Sequence, residues 1–128
     1  GTDTMGYSAA ALSFQLPELS NPVIFTGSQR SPDRPSSDAH LNLEGAAKAA
    51  MTDLGEVSIA MHETTDDVGV AIWRGTRTRK NHSSKRNAFT SLNDEPIGIV
   101  NEKIEWKGKY KPICDKTTIK PAGIIELE

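Results

Sequence analysis

Gly1-Thr2-Asp3-Thr4-Met5 opens the chain and sets a hydroxyl and a carboxylate side by side, just ahead of a helical pattern. From Tyr7 to Leu19, the residues Ala9, Ala10, Ala11, Leu12, Phe14, Leu16 and Leu19 recur at helix-compatible spacing. Thr2, Asp3 and Thr4 are therefore candidates for a cap and first turn, where side-chain oxygens accept from unpaired backbone N–H groups. The same place has a second use. Free N–H donors and a partial positive charge at a helix N-terminus suit a carboxylate ligand. An ordinary cap is the commoner role of Thr-Asp before a helix, so other residues must decide.

Beyond that helix the chain alternates. Pro17 and Ser20-Asn21-Pro22 stop the helix, and Val23-Ile24-Phe25-Thr26 reads as a short buried strand. Turn formers follow from Gly27 through Ser31-Pro32-Asp33-Arg34-Pro35-Ser36-Ser37. Asp38 can cap a second helix carrying Leu41, Leu43, Ala46, Ala47, Ala50, Met51 and Leu54. Val57 to Met61, Val68 to Trp73, Ile97 to Val100 and Lys103 to Trp106 read as further strands, the third following an acidic turn over 64–67. Strands alternating with long helices predict an α/β layer with a mainly parallel sheet.

At 128 residues the chain suits one domain with a real core. Hydrophobic residues at 36%, charged residues at 25% and a net charge of -2 describe a soluble globular protein with no demand for a polyanionic partner. The single cysteine, Cys114, excludes an internal disulfide framework and leans toward an intracellular protein. No apolar run approaches the ~20 residues that span a bilayer, and there is no signal-peptide pattern. A start at Gly1 rather than Met, directly on a motif, suggests a piece of a longer protein.

In open α/β sheets, sites lie beyond the carboxyl ends of strands, and two loops qualify by position: 27–37 and 74–87. The second is basic, with Arg74, Arg77, Arg79, Lys80, Lys85 and Arg86. Three readings are open for it: a solvated loop, a nucleic-acid patch poor in stacking aromatics, or one lysine turned inward toward Asp3. His40, His62 and His82 lie on separate elements without metal-ligand spacing, which argues against a metal site. Neither G-x-G-x-x-G nor a P-loop is present.

These residues also carry a resemblance. Gly1 to Met5 resembles the second signature of the asparaginase and glutaminase amidohydrolases. Further stretches follow in that family's order: Pro22 to Arg30, Ser36-Ser37-Asp38-Ala39 with Asn42-Leu43, and Arg74-Gly75-Thr76 through Lys80 to Ser84 with Ala88-Phe89. The forms at 79–89 and at Asp33 to Asp38 are most similar to one branch, the D subunits of archaeal glutamyl-tRNA(Gln) amidotransferases. The resemblance covers residues 1 to about 106.

What the resemblance implies is specific. The fold would be a three-layer, Rossmann-like α/β sandwich, this chain being the second half of the family's larger domain over 1–112. Residues 113–128 would be a linker and the start of an absent C-terminal domain, with Ile124 to Leu127 its opening strand. Thr2, Asp3 and Lys80 match the catalytic threonine-aspartate-lysine set, Thr2 and Asp3 also touch substrate, and Ser28 matches a position beside the bound amide. The principal nucleophile, in a Thr-Gly-Gly-Thr segment, and a flexible-loop tyrosine would lie upstream of Gly1, so the isolated fragment would be inactive.

The function implied is glutaminase or asparaginase chemistry that releases ammonia, supplied in the cytoplasm to a partner subunit for amidation of Glu-tRNA(Gln). The full-length protein would be a homodimer or hetero-oligomer with no membrane contact. No cofactor is implied in this subunit, ATP and magnesium being expected at the partner. A free-standing L-asparaginase and a noncatalytic tRNA-binding or partner-binding module are the alternatives.

Overall fold

The computed structural model describes residues 1–66 and 68–121. Helix α1 runs Thr2–Gln15, strand β1 Val23–Phe25, helix α2 Ala39–Ala50, β2 Val57–His62 and β3 Val70–Arg74. Strands β4 (Thr78–Lys80) and β5 (Phe89–Ser91) follow, then β6 (Gly98–Val100) and β7 (Ile104–Trp106). The main sheet has the order β1-β2-β3-β6-β7, and β4 and β5 form a separate ribbon. The expected strand over Ile124 to Leu127 lies outside the described residues.

All six residues of β2 are buried, so the strand needs apolar cover on both faces. Val57, Ile59 and Met61 point to one side, against Met5 and Ala9 of α1, with Ala71, Trp73 and Ile99 from neighbouring strands. Ala60 points to the other, where Ala46 and Ala49 of α2 join Val70, Ile72 and Val100. A helix therefore closes each face, giving three layers. Fully buried Ile59, Met61 and Ile72 each contribute about 1.5–3 kcal/mol by leaving water.

The α/β class holds, but the sheet is mixed rather than mainly parallel. Among the described residues only β1 and β2 pair in parallel, through the α2 crossover. β2–β3, β3–β6 and β6–β7 are antiparallel. For β2–β3 and β6–β7 connection length is the physical reason: a parallel crossover needs a dozen or more residues, and the segments over 63–69 and 101–103 are too short for one. The longer 75–97 connection between β3 and β6 is taken up by the β4–β5 ribbon.

The ribbon is the element that the apolar pattern did not predict. It is anchored by Ala88 and Phe89, both buried in the α1-side core. Residues 113–121 fold back on the C-terminal end of α1, where Cys114 N–H donates to Leu19 O at 2.8 Å and Lys120 N–H to Gln15 O at 2.7 Å. Among the described residues no helix is long and apolar enough to cross a membrane.

α2 lies so close to β3 that Gly45 has no room for a side chain. A Cβ there would stand 2.7 Å from Val70 Cβ and 2.8 and 2.9 Å from its two methyl groups. Alanine improves helix propensity by about 1 kcal/mol, whereas overpacking a tight core costs about 1–3 kcal/mol. Gly45→Ala is therefore expected to lower the melting temperature by roughly 3–6 °C, a net loss near 1 kcal/mol. Val70→Ala should cost less in that background than in the wild type, because the added methyl fills its cavity. A raised melting temperature, or strictly additive losses, refutes the close approach.

Candidate functional site

α1 begins at Thr2, with Gly1 as its N-cap and no side-chain capping bond. The Thr4 hydroxyl donates to Gly1 O at 3.2 Å. The capping expectation for Thr2 thus gives way to another partner: Lys80 Nζ donates to Thr2 Oγ1 at 2.8 Å and to Asp3 Oδ1 at 2.6 Å. The Lys80 side chain is only 10% exposed, whereas that of Asp3 is 86% exposed. A hydrogen bond from Lys80, and then its charge, hold the Asp3 carboxyl below its ordinary range.

Lys80 does not arrive as a parallel sheet would bring it. β3 runs against β2, so Arg74 sits opposite Ser58, at the end remote from His62. β4 then carries the chain back along α1, where a Cβ on Gly6 would stand 2.8 Å from Thr78 O. Only glycine permits that approach without displacing the ribbon. Lys80 pairs with Phe89 across the hairpin, so the buried ring fixes the strand register that aims the lysine.

Three other basic residues of the segment are engaged locally. Arg74 pairs with Glu56 and Asp94, and Arg77 with Asp94. Arg86 donates to Ser36 O and Thr65 O, tying this loop to the 27–37 loop. Arg79 and Lys85 are exposed. Of the three readings, the inward lysine is the one the geometry realises.

The opposite wall grows from the carboxyl end of β1. Thr26 Oγ1 donates to Ala60 O at 2.9 Å, and Thr26, Gly27 and Ser28 share with Thr2, Met5 and Phe25 a cleft of about 420 Å³. Asp3 and Lys80 line a second cleft of about 420 Å³ with Tyr7, Arg77 and Asn81. The two linings share no residue, and the Lys80 amine links them by bonding both Asp3 and Thr2. Thr2, Asp3 and Lys80 are thus in direct contact, with Ser28 across the cleft from Thr2.

The family model described as asparaginase, N-terminal, matches residues 1–112. The chain belongs to the asparaginase family. It is 54% identical over 109 residues to the D subunit of the glutamyl-tRNA(Gln) amidotransferase of Archaeoglobus fulgidus, covering 83% of this chain and 26% of that protein. Against the corresponding amidotransferase polypeptide of Thermococcus kodakarensis it is 47% identical over 129 residues, covering 100% of this chain and 28% of the other. The fold superposes on the thermostable L-asparaginase from Thermococcus kodakarensis with a TM-score of 0.81 at 32% identity, over 93% of this chain and 34% of that one. The chain therefore spans about a quarter to a third of the length of these relatives.

Within this asparaginase-family domain the sequence reading missed one polar cluster. Asp38 stands at the N-cap of α2 but makes no side-chain capping bond. Its fully buried carboxylate accepts instead from Gln29 N–H at 2.9 Å, Arg30 N–H at 2.9 Å and Asn42 Nδ2 at 2.9 Å. Asn42 Nδ2 also donates to Gly27 O at 2.9 Å, and Asn42 Oδ1 lies 2.6 Å from His62 Nδ1. The Asp-x-x-x-Asn spacing, which sets both residues on one helix face, was the available signal. His40 and His82 stay apart from this cluster. His82 Nδ1 accepts from Ser84 and Lys85 N–H. Among the described residues no His, Cys, Asp and Glu group could hold a metal ion.

The depressed Asp3 carboxyl gives a direct check on the pair. A carboxylate whose folded pKa is lowered keeps its interaction above the ordinary value of 3.8 and loses it as pH falls through the lower folded value. A carboxyl NMR titration should place the Asp3 midpoint below 3.8, and Lys80→Met should move it up toward ~3.9. Unchanged midpoints in the two proteins would mean that no ion pair exists in solution.

Proposed function

We propose that this chain is the Thr-Asp-Lys half of an amidohydrolase site that releases ammonia from glutamine or asparagine. In the full-length protein the ammonia would pass to a partner subunit that amidates Glu-tRNA(Gln). The observation that carries the reading is the Lys80 amine donating at once to Thr2 Oγ1 and Asp3 Oδ1.

A free threonine hydroxyl is a weak nucleophile and needs a base within hydrogen-bond reach. Lys80 meets that requirement at 2.8 Å, and Asp3 orients it as the third member of the set. Lys80 first gives up its extra proton to solvent; the neutral amine then acts as general base and takes the hydroxyl proton while the Thr2 oxygen attacks the carboxamide carbon. The C–N bond then breaks, the nitrogen leaves as ammonia with a proton returned from Lys80, and water hydrolyses the resulting ester. If a further threonine, in a Thr-Gly-Gly-Thr segment of the full-length protein, is the principal nucleophile, it attacks in place of Thr2, and the Thr2, Asp3 and Lys80 set assists its proton transfer.

The exposed Asp3 carboxylate suits the substrate ammonium, and the free N–H groups of α1's first turn suit its α-carboxylate. Ser28 lines the same cleft as Thr2, which supports a role beside the substrate amide. In this reading side chains carry the amide chemistry, and ATP and magnesium act at the partner subunit.

The likeness to an L-asparaginase structure supports a second reading, a free-standing enzyme. A tRNA-binding surface on the 74–87 segment has less support, since Arg74, Arg77 and Arg86 are engaged within the chain.

Ammonia release by the full-length protein, with each amide and with and without partner subunit and charged tRNA, separates these readings. Stimulation by both additions favours the tRNA-linked enzyme, and full activity without them the free asparaginase. Lys80→Met in that protein should lower kcat by ~10³-fold or more, with KM within a few-fold and the melting temperature little changed. Turnover retained in Lys80→Met removes the lysine from the mechanism.

A further inference from the structure

We propose that Asp38 is a positioning residue that sets the place of Ser28 in the cleft, and with it the affinity for the substrate amide. The inference rests on the reading that the cleft shared by Thr2 and Ser28 receives that amide. An aspartate at an N-cap normally bonds its own helix. Asp38 turns away from α2 and takes the backbone N–H groups of Gln29 and Arg30, while Asn42, held by the same carboxylate, takes the carbonyl of Gly27. The residues on both sides of Ser28 are thus held through one buried carboxylate, which restrains the backbone that carries Ser28.

The far side of the clamp is equally anchored. Asn42 meets His62 at the carboxyl end of β2, the strand packed beneath both helices. Gln29 then extends the hold outward, its side chain donating to Lys85 O at 3.0 Å in the loop that follows Lys80. Leaving a buried carboxylate or these N–H groups without partners is costly, which makes the 27–30 conformation a consequence of Asp38 rather than of the loop's own preferences. Thr2, Asp3 and Lys80 share no described hydrogen bond with this cluster, and Thr2 meets it only through its methyl group beside Gly27. Asp38 should therefore affect where the amide sits more than how the Thr2 hydroxyl is activated.

The test uses the full-length protein and three variants: Asp38→Asn, Ser28→Ala and the double variant. Asp38→Asn should raise KM for the amide by about tenfold or more while kcat changes less than about threefold. Ser28→Ala should also raise KM, and the double variant should be little worse than the poorer single one. A merely structural role would make the two effects multiply. Independently of substrate, amide hydrogen exchange at Gln29 and Arg30 should accelerate at least tenfold in Asp38→Asn, with β2 amides unchanged.

If Asp38→Asn does not fold, Asn42→Ala, which releases Gly27 O and leaves the Asp38 bonds to Gln29 and Arg30 in place, should also raise KM while kcat changes less than about threefold. Unchanged KM, multiplying effects or unchanged exchange at Gln29 and Arg30 in Asp38→Asn overturns the proposal. A wild-type protein that releases no ammonia fails the amidohydrolase reading instead, and the exchange measurement still decides the clamp.

Discussion

Burying β2 on both faces is the constraint from which the rest of the molecule follows. A strand of six residues with no exposed face must have a layer above and below it, and only small helix residues let those layers come close. Ala9 meets it from one side, Ala46 and Ala49 from the other. The same requirement fixes the site. α1 cannot pack on Val57, Ile59 and Met61 without bringing Thr2 to the end of the sheet where β1 stops. α2 cannot cover Ala60 without bringing Asn42 to His62. Core packing and polar placement are two consequences of one geometry.

Lys80 shows how a charge is brought into that frame. A lysine side chain so little exposed loses hydration that must be replaced, and here a carboxylate and a hydroxyl replace it. The contact could not form from the end of β3, which lies at the wrong edge. A return strand was needed, and the ribbon supplies it, with Phe89 buried as counterweight and Gly6 giving α1 a flat place to receive Thr78. The ribbon's apolar investment is small, two residues, but it is placed directly opposite the lysine.

Where hydrophobic periodicity was strong, the chain was legible. Val23 to Phe25, Val57 to Met61 and Ile97 to Val100 are apolar runs, and each is a strand. Thr78-Arg79-Lys80 and Phe89-Thr90-Ser91 are not, because a ribbon open to water on one side needs only one anchored residue per strand. Strand direction was also hidden: periodicity reports burial and is silent about pairing, which connection length decides. Lys80 could be singled out from its basic neighbours only by resemblance, since spacing treats Lys80 and Lys85 alike. Asp38 was read as a cap because local sequence rules count helix partners and cannot see a loop that folds back from nine positions upstream.

The two walls of the cleft are held by unlike forces, and this has a physical consequence. On the Lys80 side the contact is an ion pair whose carboxylate is open to solvent, so its charge attraction is screened over about 8–10 Å at physiological salt. On the Ser28 side the charged group is wholly buried and each partner is an N–H fixed in backbone or in a helix-borne amide, where solvent ions do not reach. On the proposed reading, the soft wall carries the group that exchanges protons and meets a charged ligand, and it gains from remaining adjustable. The stiff wall would carry the group that only has to be in the right place. A site built the other way, with a buried, rigid lysine pair and a screened, mobile pocket floor, would hold its base firmly and lose its substrate's position.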